Sequence, residues 1–144
     1  KRVRKSGISV CCGGILGLGE SLDDRLKLIS TLTEIDPPPE SVPLNCLSPI
    51  KGTPLENQKA IDFWDFLKVI AVARLALPKS KIRLSAGRDK LSIERQTLCF
   101  FAGANSIHCG EKLLTVANHD LDEDLKMMKL LGLRPSKGEC HALS

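Results

Sequence analysis

The chain has 144 residues, of which 42% are hydrophobic and 26% are charged, as is typical of one globular domain and not of a disordered protein. The net charge of +4 comes from scattered basic residues, and only 3% of the residues are aromatic. A nucleic-acid-binding surface usually combines basic and aromatic residues, so this class of partner is not predicted. No apolar run approaches the length of a membrane span, so no membrane segment is predicted either.

The cysteine pattern bears on metal binding and location. No two cysteines are spaced as C-x-x-C, so a closed zinc site is not predicted. The N-terminus has basic residues but no apolar signal-peptide core. We therefore predict free thiols in the cytoplasm, or in the mitochondrial matrix if the source is a eukaryote. The six residues are Cys11, Cys12, Cys46, Cys99, Cys109 and Cys140.

The first predicted unit is a strand at Ile8–Cys11, which leads into the glycine-rich segment Gly13–Gly19. This segment is neither a Walker loop nor a G-x-G-x-x-G motif, since Leu22 stands where the third glycine should be. Backbone amides in such a turn often approach a nucleotide-type ligand. The alternative is a tight turn that needs glycine only for a positive φ angle.

A helix is predicted after this turn, because Ser21 and Asp24 have the spacing of a capping box. Leu22, Leu26 and Ile29 are spaced to lie on one face of that helix. The proline-rich segment Asp36–Pro39 ends it.

Three more strand–helix units follow. The predicted strands are 41–47, 81–85 and 105–109, and the predicted helices are 60–77, 93–102 and 120–131, with Gly132 as the last C-cap. Four such units in series predict a parallel α/β sheet, and they amount to half of a TIM-type (βα)₈ barrel. Chemistry in such barrels lies at the carboxyl ends of the strands, here 11–20, 45–51, 83–88 and 108–112. The alternative is a small open doubly wound sheet.

Several polar or reactive side chains lie at these strand ends. Cys11 and Cys12 are adjacent on a strand, so only one of them can point into a barrel, unless both are simply buried thiols. Arg83 lies inside a strand and needs an anionic ligand or a structural carboxylate partner. Arg88, on the following loop, is predicted to face solvent or a phosphate-like group. Asn45 either binds a ureido or carboxamide ligand or ties neighbouring loops together.

Taken together, these motifs resemble the biotin synthase family. Val10–Glu20 is similar to the family segment V-C-S-G-G-I-x-G-L-G-E, except that Cys12 stands where the family commonly has Ser. Gly13, Ile15, Gly17 and Glu20 also fit the pattern G-x-I-x-G-x-x-E of radical S-adenosylmethionine enzymes. The other similar segments are 41–45, 51–55, 70–74, 83–88, 102–107, 112–115 and 131–133, so that the resemblance runs in order from about Lys5 to Pro135.

The resemblance implies roles for individual residues. Cys11 and Arg83 correspond to two ligands of a sulfur-donating [2Fe–2S] cluster. Asn45 corresponds to a residue that binds the ureido ring of dethiobiotin. The pocket for S-adenosyl-L-methionine would be formed by Gly13, Ile15 and Gly17, with Glu20 securing the turn.

The implied activity is that of a sulfurtransferase that converts dethiobiotin into biotin. A [4Fe–4S] cluster reductively cleaves S-adenosylmethionine, the resulting radical removes hydrogen from dethiobiotin, and the [2Fe–2S] cluster supplies sulfur. Flavodoxin or ferredoxin is the expected electron donor, and the whole enzyme is expected to be a homodimer that binds neither nucleic acid nor membranes.

The C-x-x-x-C-x-x-C motif of the family is absent, and the chain has no initiator Met. We therefore expect residues 1–135 to be the C-terminal half of the barrel, inactive alone, and residues 136–144 to be a loose tail. A half-barrel is also expected to be unstable, because it exposes two sheet edges. Two alternatives are another radical S-adenosylmethionine enzyme and a non-enzymatic βα ligand-binding module that folds without iron.

Overall fold

The computed structural model describes residues 2–109, 112–113, 116–117 and 121–136. Helices and strands alternate along most of this part of the chain, as the sequence predicts. In chain order they are α1 Arg2–Lys5, β1 Gly14–Leu16, α2 Leu22–Thr33, β2 Ser41–Cys46, α3 Phe63–Ala76, β3 Lys81–Leu84, α4 Ile93–Ala102, β4 Ser106–Ile107, β5 Lys112–Leu113, β6 Val116–Ala117 and α5 Leu121–Leu130.

Strands β1 to β4 form one parallel sheet in the order β1-β2-β3-β4, and β5 pairs with β6 as an antiparallel hairpin. The spatial order of the four strands is the same as their order in the chain. A doubly wound sheet reverses its strand order at a switch point, whereas a barrel adds each strand beside the last. The topology is therefore that of a barrel segment.

The two faces of the sheet have different compositions. Val42, Leu44, Ile82 and Leu84 are at most 1% exposed, and they form the core with buried residues of α2, α3 and α4. Successive side chains in a strand point to opposite faces. The strand register therefore places the alternate residues on the side of the sheet that the helices do not cover. We term this side the polar face, and its residues are Cys11, Gly13, Ile15, Ser41, Pro43, Asn45, Lys81, Arg83 and Ser106.

The prediction of the first strand at Ile8–Cys11 is wrong, because β1 spans Gly14–Leu16, inside the segment predicted as the glycine-rich turn. The segment before it is still paired with β2, because Cys11 forms a bridge with Ser41 and the Cys12 N–H donates to the Ser41 carbonyl at 3.0 Å. Pro43 has no N–H to donate, so the ladder is interrupted beside it. At this point Gly13 is required, because a Cβ atom there would lie 1.9 Å from the Pro43 carbonyl oxygen.

The predicted helix ends are confirmed where their signals were strongest. Ser21 and Asp24 form the reciprocal hydrogen bonds of a capping box at the start of α2. Gly132, with φ of +68°, ends α5 in a Schellman arrangement, since the Leu133 N–H reaches the Met128 carbonyl at 2.8 Å. Among the described residues, no helix is long and apolar enough to cross a membrane.

The burial of α2 differs from a simple amphipathic pattern. Ile29 is buried, but Leu22 and Leu26 are 57% and 43% exposed although they share its face. Helix α2 is the first of the helix layer and packs against α3 on one side only. Its other side is therefore open to solvent within the described part of the chain.

Candidate functional site

Glu20 holds the glycine turn at the carboxyl end of β1. Its carboxylate accepts hydrogen bonds from the backbone N–H of Gly17 at 2.9 Å and of Leu18 at 2.6 Å. Gly17 has a φ of +91°, which side chains rarely adopt. The turn is therefore shaped by a glycine and held by the carboxylate that follows it.

A basic residue in turn holds Glu20 in place. The Arg25 Nε atom donates to Glu20 at 2.8 Å, and its Nη1 atom contacts Asp65 on α3 at 3.2 Å. Burial alone would raise the pKa of Glu20, but hydrogen bonds from Gly17 and Arg25 outweigh it, so the pKa lies below its ordinary value. Sequence reasoning did not find Arg25, because its partners lie 5 and 40 residues away.

The two adjacent cysteines lie on opposite sides of the sheet. Cys11 is exposed and belongs to the polar face, whereas Cys12 is partly buried and packs against the hydrophobic core. This follows from strand alternation, since Cys11 is bridged to Ser41 in the same register as β1 and β2. Only Cys11 is thus available to a ligand on the polar face.

Arg83 lies in the third strand, and its side chain is partly exposed on the polar face. Its Nε atom donates to the Ser106 hydroxyl at 3.3 Å. No carboxylate within residues 2–109 and 121–136 pairs with it, so a structural ion pair does not account for this arginine in the described chain.

Cys11 and Arg83 are separated by one intervening strand and by two residues of register. Strand spacing and rise place their Cα atoms about 12 Å apart. An arginine side chain and a small inorganic cluster can bridge this distance. These two side chains alone do not complete a metal site, and the described residues contain no group of three or more His, Cys, Asp or Glu that could hold a metal ion.

Asn45, in β2, is tied to β1 and to the loop after β3 through its side-chain amide. The Nδ2 atom donates to the Gly14 carbonyl at 3.0 Å, and the Oδ1 atom accepts from the Ala86 N–H at 3.1 Å. The amide nitrogen has two hydrogens, and this arrangement uses one of them. The structure therefore shows the tying role that the sequence predicted for Asn45, while its role as a substrate ligand stays a prediction.

The structure contradicts the sequence prediction for Arg88, because the side chain of this residue does not face solvent. Its side chain is fully buried and forms a bidentate pair with Asp124 on α5, at 2.6 and 2.9 Å. It also donates to Gln96 at 3.1 Å and to the His108 carbonyl at 3.2 Å. The local sequence gave no sign of this pair, because Asp124 resembles any acidic residue in the first turn of a helix.

Two of the remaining thiols, Cys46 and Cys99, are not suited to ligand binding. Cys46 and Cys99 lie in the core, and burial raises the pKa of each to about 12. They are therefore protonated near neutral pH and behave as small apolar residues. Cys109 is exposed, and Cys140 lies outside the described residues.

The fold is shared with solved structures over nearly the whole chain. One is methylornithine synthase (PylB), with a TM-score of 0.73 and 24% identity over 93% of this chain and 42% of that protein. Another is the FeFe-hydrogenase maturase HydG from Carboxydothermus hydrogenoformans, with a TM-score of 0.74 and 20% identity over 94% of this chain and 34% of that protein. The predicted fold, a partial α/β barrel, is thus confirmed.

Curated relatives are much closer in sequence. The chain is 61% identical to the biotin synthase of Chlamydia pneumoniae over 138 residues, which cover 94% of this chain and 42% of the relative. It is 57% identical to the biotin synthase of Coxiella burnetii (strain RSA 493 / Nine Mile phase I) over 134 residues, which cover 93% of this chain and 42% of the relative. The chain thus spans about two-fifths of the length of these relatives.

The family assignment rests on a third comparison. Residues 43–134, which include Asn45, Arg83 and Arg88, match the sequence profile of the Biotin and Thiamin Synthesis associated domain. The resemblance predicted from the sequence is confirmed by this match together with the biotin synthase relatives. The chain belongs to the Biotin and Thiamin Synthesis associated domain family.

Proposed function

We propose that this chain is the C-terminal half of the barrel of a biotin synthase, a sulfurtransferase that converts dethiobiotin into biotin. The observation that carries the proposal is Arg83, an arginine on the polar face of a sheet that has no carboxylate partner in the described chain, on the same face as the exposed thiol of Cys11. A partly exposed guanidinium and an exposed thiol on one face of the sheet can both reach a ligand that binds there.

The residues present fit the groups that this activity requires. A thiolate such as that of Cys11 is a preferred ligand of iron–sulfur clusters, and with Arg83 it would hold the [2Fe–2S] cluster on the polar face. The cofactors supply reductive cleavage of S-adenosylmethionine at a [4Fe–4S] cluster and sulfur from the [2Fe–2S] cluster. The part of the enzyme that this chain does not span would supply the remaining cluster ligands.

The other site residues shape the pockets around these groups. Gly13, Ile15 and Gly17 would border the pocket for S-adenosylmethionine, because they line the polar face and the turn at the end of β1. Glu20 would act by holding this turn, since its oxygens already accept hydrogen bonds from Gly17 and Leu18. Asn45 would donate its remaining N–H to the ureido carbonyl of dethiobiotin.

The rest of the proposal concerns partners and location. We propose a homodimeric enzyme that takes electrons from a flavodoxin or ferredoxin, since reductive cleavage of S-adenosylmethionine requires a reductant. A reducing compartment such as the cytoplasm would keep Cys11 free to bind the cluster.

The test uses a hybrid enzyme, in which this chain replaces the matching 42% of the Chlamydia pneumoniae biotin synthase. The hybrid is supplied with iron, sulfide, S-adenosylmethionine and a reductant, and biotin formed from dethiobiotin is measured by mass spectrometry. We expect biotin to form and the visible absorbance of a [2Fe–2S] cluster to be present. An inactive hybrid that folds and holds both clusters would overturn the proposal.

The adjacent cysteines offer a matched pair of variants. We expect Cys11→Ser to abolish both the [2Fe–2S] absorbance and biotin formation, because it removes a ligand from the polar face. Cys12→Ser should retain both, because Cys12 packs on the other side of the sheet. Equal effects of the two substitutions would contradict the assignment of Cys11.

A further inference from the structure

The loop after β3 connects the side chain of Asn45 to a buried ion pair. The Ala86 N–H donates to Asn45 Oδ1 at 3.1 Å, and the Ala86 carbonyl accepts from the Cys46 N–H at 2.8 Å. Gly87, with φ of +85°, packs so closely on Cys46 that an added Cβ atom would lie 2.7 Å from the Cys46 Cβ. The loop from Ala86 to Arg88 therefore has little freedom to move independently of Asn45.

The side chain of Arg88 fixes the other end of this loop. Its guanidinium is 1% exposed and is bound by both carboxylate oxygens of Asp124, which is 2% exposed. A bidentate arginine–carboxylate pair restrains position and orientation together. Because both charges are buried, removing one of them leaves the other without compensation, and the loop must move for Arg88 to reach water.

Asp124 reaches this position from a distant part of the chain. It lies in the first turn of α5, which follows the β5–β6 hairpin after β4. The same guanidinium also binds Gln96 on α4 and the His108 carbonyl just past β4. Arg88 is thus the point at which α4, α5 and the ends of β3 and β4 meet.

We infer that Arg88 and Asp124 are positioning residues for dethiobiotin, which hold the Ala86 N–H on Asn45 and so set the orientation of the amide that would bind the ureido ring. The inference rests on the proposed function. It assigns to α5 a role in substrate affinity, although α5 itself contributes no residue to the polar face among those described.

The test measures dethiobiotin dependence in the hybrid enzyme with Asp124→Asn, which keeps the shape of the side chain but removes its charge. We expect the half-saturating dethiobiotin concentration to rise about tenfold, the change that loss of one well-placed hydrogen bond of ~1.4 kcal/mol produces. The rate at saturation should change by less than about twofold, because the cluster ligands Cys11 and Arg83 are untouched. Amide hydrogen exchange should rise in segments 85–88 and 121–130.

A control breaks a more exposed ion pair at the opposite end of the sheet. Glu40 pairs with Arg4 at 2.6 Å beside the start of β2, and Glu40→Gln should leave the half-saturating concentration unchanged. If Glu40→Gln raises it as much as Asp124→Asn does, the effect is general loosening and the inference is wrong. An unchanged concentration in Asp124→Asn, with faster exchange in 121–130, would also overturn it.

A milder variant decides the question if Asp124→Asn does not fold. Gln96→Met removes one neutral partner of Arg88 and leaves both charges in place. We expect the half-saturating concentration to rise about threefold, less than for Asp124→Asn, because the ion pair with Asp124 still holds Arg88 in place. No rise would overturn the inference. A folded hybrid that holds both clusters and makes no biotin even without substitution would instead refute the proposed function. Hydrogen exchange in 85–88 would still report whether the pair holds the loop.

Discussion

Substitutions on the two faces of the parallel sheet are expected to have different effects. On the covered face, Val42, Leu44, Ile82 and Leu84 are almost completely buried under the helices. On the polar face, the same two strands carry the amide of Asn45 and the guanidinium of Arg83, and the bridged segment before β1 carries the thiol of Cys11. Because side chains alternate along a strand, stability and chemistry are assigned to consecutive residues of the same segment. The comparison can therefore be tested with neighbouring substitutions.

The largest expected difference is between Ile82 and Arg83, which are adjacent in β3. Ile82→Ala removes a fully buried side chain from the core, and we expect the free energy of unfolding to fall by about 2–5 kcal/mol. Arg83→Met should lower it by less than about 1 kcal/mol, because it removes a single hydrogen bond to Ser106.

Urea unfolding of the iron-free hybrid enzyme measures both effects on stability. The visible absorbance of the iron-loaded enzyme then measures how far each variant retains the [2Fe–2S] cluster. Arg83→Met should reduce the [2Fe–2S] absorbance, and Ile82→Ala, at a temperature where it is folded, should retain it. If Arg83→Met destabilises the enzyme as strongly as Ile82→Ala, the two faces do not divide these roles.

A smaller effect is expected in the chemical reactivity of the thiols, which differ in burial and in the face of the sheet on which they lie. In iron-free, folded hybrid at pH 8, we expect iodoacetamide to modify Cys11 at least about tenfold faster than Cys12, since Cys11 is exposed and Cys12 is partly buried. Cys46 and Cys99 have pKa values raised to about 12 by burial, so only about one thiol in 10⁴ is ionised and both should stay unmodified. Peptide mass spectrometry measures the extent at each position. Faster modification of Cys12 than of Cys11 would contradict the assignment of Cys11 to the polar face.

The smallest effect concerns the glycine turn. The pKa of Glu20 is lower in the folded chain than its ordinary value of 4.5, so the carboxylate stabilises the fold above about pH 4.5. This stabilisation is lost as the pH falls through the folded-state pKa. We expect Glu20→Gln to be less stable than the unsubstituted enzyme from pH 7 to 5, and the difference to shrink below pH 4.5. Thermal unfolding across this range measures it, and a difference that widens in acid would contradict the role of Glu20.

Local signals in the sequence predicted much of this structure. Strand–helix alternation predicted the parallel sheet, the capping box at Ser21 predicted the start of α2, and Gly132 predicted the end of α5. Each of these signals lies within a few residues of what it determines. Strand alternation likewise predicted that only one thiol of Cys11 and Cys12 could face the interior.

What the sequence did not predict depends on contacts between distant segments. Arg88 was expected in solvent because its neighbours suggest a loop, and its partner Asp124 lies 36 residues further on. The interruption of β1 was missed because it arises from Pro43 in the next strand. Both cases are set by tertiary packing, which periodicity and capping rules do not contain.

The close approach of Gly13 to Pro43 has a consequence for strand register. If β1 slipped by two residues against β2, Cys11 or Ile15 would lie opposite Pro43, and either Cβ atom would overlap the carbonyl oxygen that Gly13 now faces. A slip by one residue would turn every side chain of β1 to the other face. A residue without a side chain thus excludes the two-residue slips, and by doing so it fixes how far the thiol of Cys11 lies from Arg83 along the sheet.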